Sequence, residues 1–226
     1  MKKITKYIPT IILTLLCSCS DYLDIVPDNV TTLDIVFNNR NTAERYLANC
    51  YHFVPDHGSV KRIPGMGAGH ECWFYTTNDS HFDNEVSFYI ARGLQNIDAP
   101  YANYWDGEGG SNLPMFRAIR ECNIFLDYVR DQHKVNDLTD SERKRWIAEV
   151  NVLKAYYHFF LFEHYGPIPI VDKALPVSTD PEGVKVTRMP VDQIVDYMVK
   201  LIDDSYKDLP PVITMEATEM GRLTQP

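Results

Sequence analysis

The sequence predicts a mainly α-helical fold of helical hairpins, interrupted by one long irregular loop rich in aromatic residues. Three observations predict it. Apolar residues recur at helical spacing in four separate stretches. Capping and stop signals, rather than strand-type alternation, bound those stretches. Between the first two lies a segment from Val54 to Asn112 with many rings and little helical periodicity.

The chain has 226 residues, 45% hydrophobic and 23% charged, the ordinary balance of a globular protein with enough apolar surface to offset ordering entropy. Lys and Arg total 22 against 31 Asp and Glu, a net charge of −9, which excludes a nucleic-acid partner because phosphate binding needs a basic stripe. No run of 18 apolar residues exists to form a spanning helix. Aromatic content is 12%, with 14 Tyr and 3 Trp, and ring faces in an acidic chain suit neutral, ring-shaped ligands.

At the N-terminus, Lys2, Lys3 and Lys6 precede an apolar stretch from Ile8 to Leu16, too short to cross a bilayer and of signal-peptide length. It runs into Leu16-Cys17-Ser18-Cys19, which resembles the lipobox of bacterial lipoproteins. There a small residue precedes a cysteine that is lipidated and becomes the new N-terminus. Ser18 fits that position before Cys19, whereas Leu16 before Cys17 fits poorly. Residues 1–18 are therefore expected to be a lipoprotein signal peptide, residues 19–226 the helical body, and Cys19 the lipidated residue. Losing the three lysines takes the net charge from −9 to −12. Two or more acyl chains make membrane attachment stable. Ser20-Asp21 resembles the acidic signal that sends some lipoproteins to the cell exterior. The plain alternative is a secretory signal with two incidental cysteines.

The first helix is expected to begin near Asn41, with Asn41 and Glu44 as a capping box and Ala43, Tyr46, Leu47, Cys50 and Tyr51 at helical spacing. The long loop follows. Its Trp73, Phe74, Tyr75, Phe82, Phe88, Tyr89, Tyr101 and Tyr104 are interleaved with Asn78, Asp79, His81 and Asp83. Aromatic faces stack on sugar rings while amides and carboxylates bond hydroxyls; the competing reading is that most rings anchor the loop on the core. Trp105 fits the core better than a ligand platform.

The second helix runs from about Leu113 to Arg130, with Phe116, Ile119, Cys122, Leu126 and Val129 on one stripe. The third opens with a Thr139–Glu142 capping box, continues through Trp146, Val150, Leu153, Tyr157 and Phe160, and stops at Gly166-Pro167. A polar connector joins these two helices, so they should pack as an antiparallel hairpin, the unit of stacked helical scaffolds. The fourth starts at Pro190, a favoured first-turn proline, and carries Ile194, Val195, Met198, Leu201 and Ile202.

Cys50 and Cys122 fall on helical apolar faces and read as small core residues, with no disulfide framework or metal spacing implied. Enzymatic readings are poor. His158 and His164 are not stacked on one face, and no zinc-protease, P-loop or nucleophile-elbow motif occurs. Glu71 and Asp79 as a catalytic pair, or Asn78 to Glu85 as a Ca²⁺ loop, are weaker accounts than a solvated loop face; the EF-hand order and glycine are missing. No cofactor is called for.

The stretch Glu149-Val150-Asn151-Val152-Leu153-Lys154-Ala155-Tyr156-Tyr157-His158-Phe159-Phe160-Leu161, followed by Tyr165-Gly166-Pro167-Ile168-Pro169, resembles the hallmark of the SusD/RagB lipoproteins. Val150 and Lys154 stand where Ala and Arg are usual. Cys19 to Asp24 with Pro27, Trp105 through Leu126, and Thr187-Arg188 through Leu209-Pro210 agree with it as well.

The resemblance implies tetratricopeptide-like helical hairpins in a surface lipoprotein of the cell outer membrane. It implies capture of oligosaccharides, or in some relatives peptides, for a SusC-like TonB-dependent transporter. Trp73, Tyr75 and Asn78 lie where family members place part of their ligand surface, and are candidate contacts on that ground. A helical-repeat adaptor that binds only proteins is the alternative. Family members are usually more than twice this long, and the apolar stripe of the fourth helix has no later partner here. The chain is therefore expected to be the N-terminal part of a longer protein, with an exposed apolar patch on that helix.

Overall fold

A computed structural model describes residues 32–59, 64–69, 86–98, 100–107, 113–176 and 182–226. The chain divides into two units, Met1–Ile35 and Val36–Pro226. Of the first, only residues 32–35 are described; they open the helical turn α1, Leu33–Val36. Seven further α-helices follow among the described residues, α2 (Arg40–Tyr51), α3 (Pro64–Gly67), α4 (Val86–Ala91), α5 (Met115–Arg130), α6 (Asp140–Tyr165), α7 (Val191–Asp203) and α8 (Glu216–Glu219), with short 3-10 turns at Glu182–Val184 and Tyr206–Asp208. No strand occurs among the described residues.

The centre of the second unit is α6, whose 26 residues span about 39 Å. It packs against α2, α5 and α7, so it is buried on several sides. That explains why its apolar residues wrap around it rather than forming one stripe: Trp146, Val150, Leu153, Tyr157 and Phe160 are buried, as are Ala148, Ala155 and Leu161. The expected capping box is present. Thr139 accepts from the Glu142 N–H at 3.3 Å, and the Thr139 N–H donates to the Glu142 carboxylate at 3.2 Å. The other end stops at Gly166, whose φ of +67° suits a residue without Cβ.

α5 lays Ile119, Cys122, Leu126 and Val129 against α6, as its stripe predicts. The turn between them is closed by Arg143, a buried guanidinium that donates to the carbonyls of Val129, Asp131, Lys134 and Val135. α2 begins one residue before the expected start, and its cap is Asn39, which accepts from the Thr42 N–H at 3.1 Å. Asn41 is therefore not the cap. It sits in the first turn, while Glu44 pairs with Arg40 at 3.0 Å instead of reaching back. Pro190 is likewise the N-cap of α7, not its first helical residue, with ψ at 146° in the extended region.

Cys50 and Cys122 are free, fully buried and in contact, as core residues. The Cys50 thiol is held far above its ordinary pKa by the neighbouring Cys122 and by burial. Only Ile194 and Met198 of α7 are buried; Val195, Val199 and Ile202 stay exposed and meet Phe159 of α6 along an apolar trough of about 450 Å³. The patch expected on the fourth helix is there.

Two buried polar assemblies tie the elements together. Glu149, at 0% exposure, takes Arg145 at 2.9 Å, two bonds from Arg222 at 2.8 and 3.1 Å, and the Tyr51 hydroxyl at 2.7 Å. This joins α6 to α2 and to the C-terminal segment. Burial, then the Glu149 charge, pushes the Tyr51 phenol far above its ordinary pKa. On another side of α6, the Lys154 ammonium donates to the Asp172 carboxylate at 2.8 Å and its carbonyl at 2.9 Å, and Tyr197 of α7 donates to the same carboxylate at 2.8 Å. Burial lowers the Lys154 pKa against the pull of Asp172.

Candidate functional site: a cleft beside the aromatic loop

The described parts of the long loop form two short helices, α3 and α4, which pack together, and an irregular return to α5. The loop is thus more structured than its weak periodicity predicts, because Ser87 and Phe88 of α4 are buried despite its six residues. Tyr104 anchors the return. Its buried ring meets Phe160 edge-on at 4.9 Å and His164 at 4.7 Å, and its N–H donates to the Tyr165 hydroxyl at 2.8 Å. Burial raises the Tyr104 pKa to about 12. For Tyr104 the core-anchor reading holds.

Around this anchor the loop presents rings and amides. Tyr89 and Tyr101 stack at 4.6 Å with 23° between planes. Gln95 clasps the backbone of Tyr101, accepting from its N–H at 2.6 Å and donating to its carbonyl at 2.8 Å. Ala102 is held at φ +54°, a strained conformation for an L residue, and Asn103 bonds Asp106 at 2.6 Å and accepts from the Trp105 N–H at 3.1 Å. At Gly107, φ is +87° and an added Cβ would come within 2.9 Å of Pro114, so the chain can make this turn only with glycine.

These groups border a cleft of about 180 Å³ lined by Ile90, Gln95, Tyr101, Asn103, His164 and Tyr165. Enclosed small-molecule pockets usually hold about 300–1,000 Å³, so this is a surface subsite for one ring, not a closed pocket. Its chemistry is a ring face with amide donors and acceptors around it. Trp105 packs on the core as expected, edge-on to Phe116 at 4.6 Å and to Tyr165 at 5.5 Å, but it also walls a second cleft.

The sequence-predicted contacts Trp73, Tyr75 and Asn78 lie outside the described residues, as do Cys19 and the Glu71, Asp79 and Ca²⁺-loop groups. The described residues bring Tyr89 and Tyr101 together. Gln95, Asn103 and His164 are additions that sequence reasoning missed; no spacing marks an amide clasp, and His164 joins the cleft only because Tyr104 docks the loop on the end of α6. Among the described residues, no group of three His, Cys, Asp or Glu could hold a metal, and no helix is long and apolar enough to cross a membrane.

Comparison with known proteins gives the class. A family model described as starch-binding and associating with the outer membrane matches residues 21–221. The chain belongs to this SusD-like family. No curated protein matches it. Among solved structures, a laminarin-binding SusD-like protein superposes with a TM-score of 0.61 at 17% identity, covering 83% of this chain and 38% of that one. A SusD-like carbohydrate-binding protein from Bacteroides fragilis gives 0.55 at 21% identity, covering 84% and 35%. A further SusD-like protein from Bacteroides fragilis gives 0.61 at 17%, covering 90% and 35%. The fold is the tetratricopeptide-like helical one of this family, and the chain spans little more than a third of those neighbours' lengths.

Proposed function

We propose that this chain is a non-catalytic capture lipoprotein of the outer membrane, anchored through Cys19, that binds oligosaccharides at the cell exterior and delivers them to a SusC-like TonB-dependent transporter. The observation that carries the reading is membership, over residues 21–221, of a family described as starch-binding and outer-membrane-associating. The ring-and-amide cleft at Tyr101 supports it with matching chemistry. Trp73, Tyr75 and Asn78 are proposed to extend that surface. The apolar trough between α6 and α7 favours a second reading, a protein-only adaptor, which a glycan array separates from the first.

On such an array the purified chain is expected to bind oligosaccharides. Tyr101→Ala and Trp73→Ala should each weaken binding several-fold, the scale of one aromatic contact at about 0.5–1.5 kcal/mol. Retained affinity in both variants would place the ligand elsewhere, and an empty array would favour the peptide-capturing or adaptor reading. For the anchor, Cys19→Ser is expected to release the chain from membranes and Cys17→Ser to leave it bound. Fatty-acid labelling that survives Cys19→Ser would refute the assignment.

A further inference from the structure

We propose that the second cleft, beside Trp105, is an anion-accepting subsite, so that the captured glycan carries carboxylate or sulfate groups on its rings. This rests on the reading of the chain as a glycan-capturing protein and narrows the ligand class.

Tyr165 borders the first cleft and touches Trp105 edge-on, so the two clefts are neighbours. The second holds about 260 Å³. Trp105, Phe116, Leu175 and Val186 form its apolar wall, and its charged groups are Arg120 and Lys173, with no carboxylate among the described residues that line it. A third cation, Arg188, lies over the Trp105 ring at 5.1 Å and is held there by the carbonyls of Pro167 and Tyr165.

The chain as a whole is acidic, so three cations gathered at one cleft run against its overall charge. The chain carries −9 overall, and Arg40, Arg117, Arg145 and Arg222 each pair with a glutamate. Arg120, Lys173 and Arg188 have no carboxylate partner among the described residues. The Arg120 guanidinium donates to the Leu175 carbonyl, which fixes it in the cleft wall and leaves further N–H donors of its five. Asp172 adjoins Lys173 in sequence, yet its carboxylate accepts from Lys154 and Tyr197. Asp106 is bonded by Asn103, and Glu182 pairs with Lys185.

An indole and a phenyl ring offer apolar surface to a sugar face, while a planar guanidinium and a mobile ammonium suit an anionic substituent on the same ring. A neutral sugar would leave those cations without a counter-charge. The acidic composition, which on its own favours neutral ligands, describes the whole surface and not this cleft.

The test uses the full chain on an array of neutral, uronate-containing and sulfated oligosaccharides, followed by titration of the tightest charged binder and its methyl-esterified or desulfated counterpart. The charged member is expected to bind at least tenfold more tightly. Lys173→Glu should remove most of that preference; Lys173 is exposed, so the melting temperature should hold. Arg120→Lys, which keeps the charge but loses the planar fork, should reduce the preference partially. Neutral glycans bound as tightly as charged ones, with Lys173→Glu silent, would overturn the subsite and leave glycan capture standing. Absence of all glycan binding would overturn both.

Discussion

Replacing Glu149 with alanine is expected to destabilise the fold by about 3–5 kcal/mol, the cost of removing one partner from a buried ionic assembly. The carboxylate is fully buried and accepts from Arg145, Arg222 and Tyr51, so its removal takes one of two carboxylate partners from each guanidinium and the acceptor from a phenol. Arg145 and Arg222 keep partial solvent access, at 21% and 13% side-chain exposure, and both retain Glu219, which places the loss toward the lower end of that range. Denaturant unfolding measures it. Arg222→Ala should cost less, since Arg145 and Tyr51 continue to satisfy the carboxylate. Equal stability of wild type and Glu149→Ala would show that the network is not a structural tie. Because Arg222 holds the C-terminal segment against α6 through Glu149, the Glu149→Ala variant should also become protease-sensitive near Gly221.

The second large effect is an acid dependence centred on His158. This imidazole is fully buried on α6, with Nδ1 2.7 Å from the Lys154 carbonyl, the Val171 N–H directed at Nε2 at 3.4 Å, and the Tyr197 ring at 5.1 Å. The bond pattern is that of a neutral ring protonated on Nδ1. Burial drives its pKa down from 6.5 to about 4; the Lys154 charge adds to this, while the bond to the Lys154 carbonyl and the Asp172 charge oppose it. Between those values the unfolded chain binds a proton that the folded chain refuses. Stability from this group is therefore complete above about pH 6.5 and is lost as pH falls toward about 4. Linkage over that interval amounts to about 3 kcal/mol. Unfolding free energies of wild type and His158→Gln, compared from pH 7 to 4, should converge by about that amount at the acid end. Parallel curves would contradict the assignment.

The helical scaffold was legible because its signals are local. Thr139, Glu142 and Gly166 mark the ends of α6 through side-chain geometry that operates within one turn, and Ile119, Cys122, Leu126 and Val129 mark a face through simple spacing. Where two nearby residues could each serve as a cap, sequence pattern alone did not choose correctly: Asn39, not Asn41, starts α2, and its neighbour Arg40 is engaged by Asp137 and Glu142 far along the chain. The Glu149–Arg222 and Lys154–Asp172 ties were not legible, because each couples groups that only the packed fold brings together. The same holds for the candidate site. Tyr89 and Tyr101 stand out as loop rings, but their stacking depends on Gln95 holding the Tyr101 backbone, and His164 reaches the cleft from a different element. The charged cleft was hidden more deeply, since Arg120, Lys173 and Trp105 come from three separate stretches and the overall composition points toward neutral ligands.

The Arg143 clasp bears on how this chain reaches its folded state. All four carbonyls it binds lie within 14 residues of it in sequence. The contacts that close the α5–α6 turn therefore need only a short loop, and short loops carry the smallest closure entropy. By contrast, docking α2 on α6 closes separations near 100 residues, as Tyr51 and Glu149 or Cys50 and Tyr157 illustrate. The low-separation hairpin is the natural nucleus on which the distant partners condense. Weakening Arg143 would thus slow folding, whereas loosening the C-terminal tie would chiefly speed unfolding.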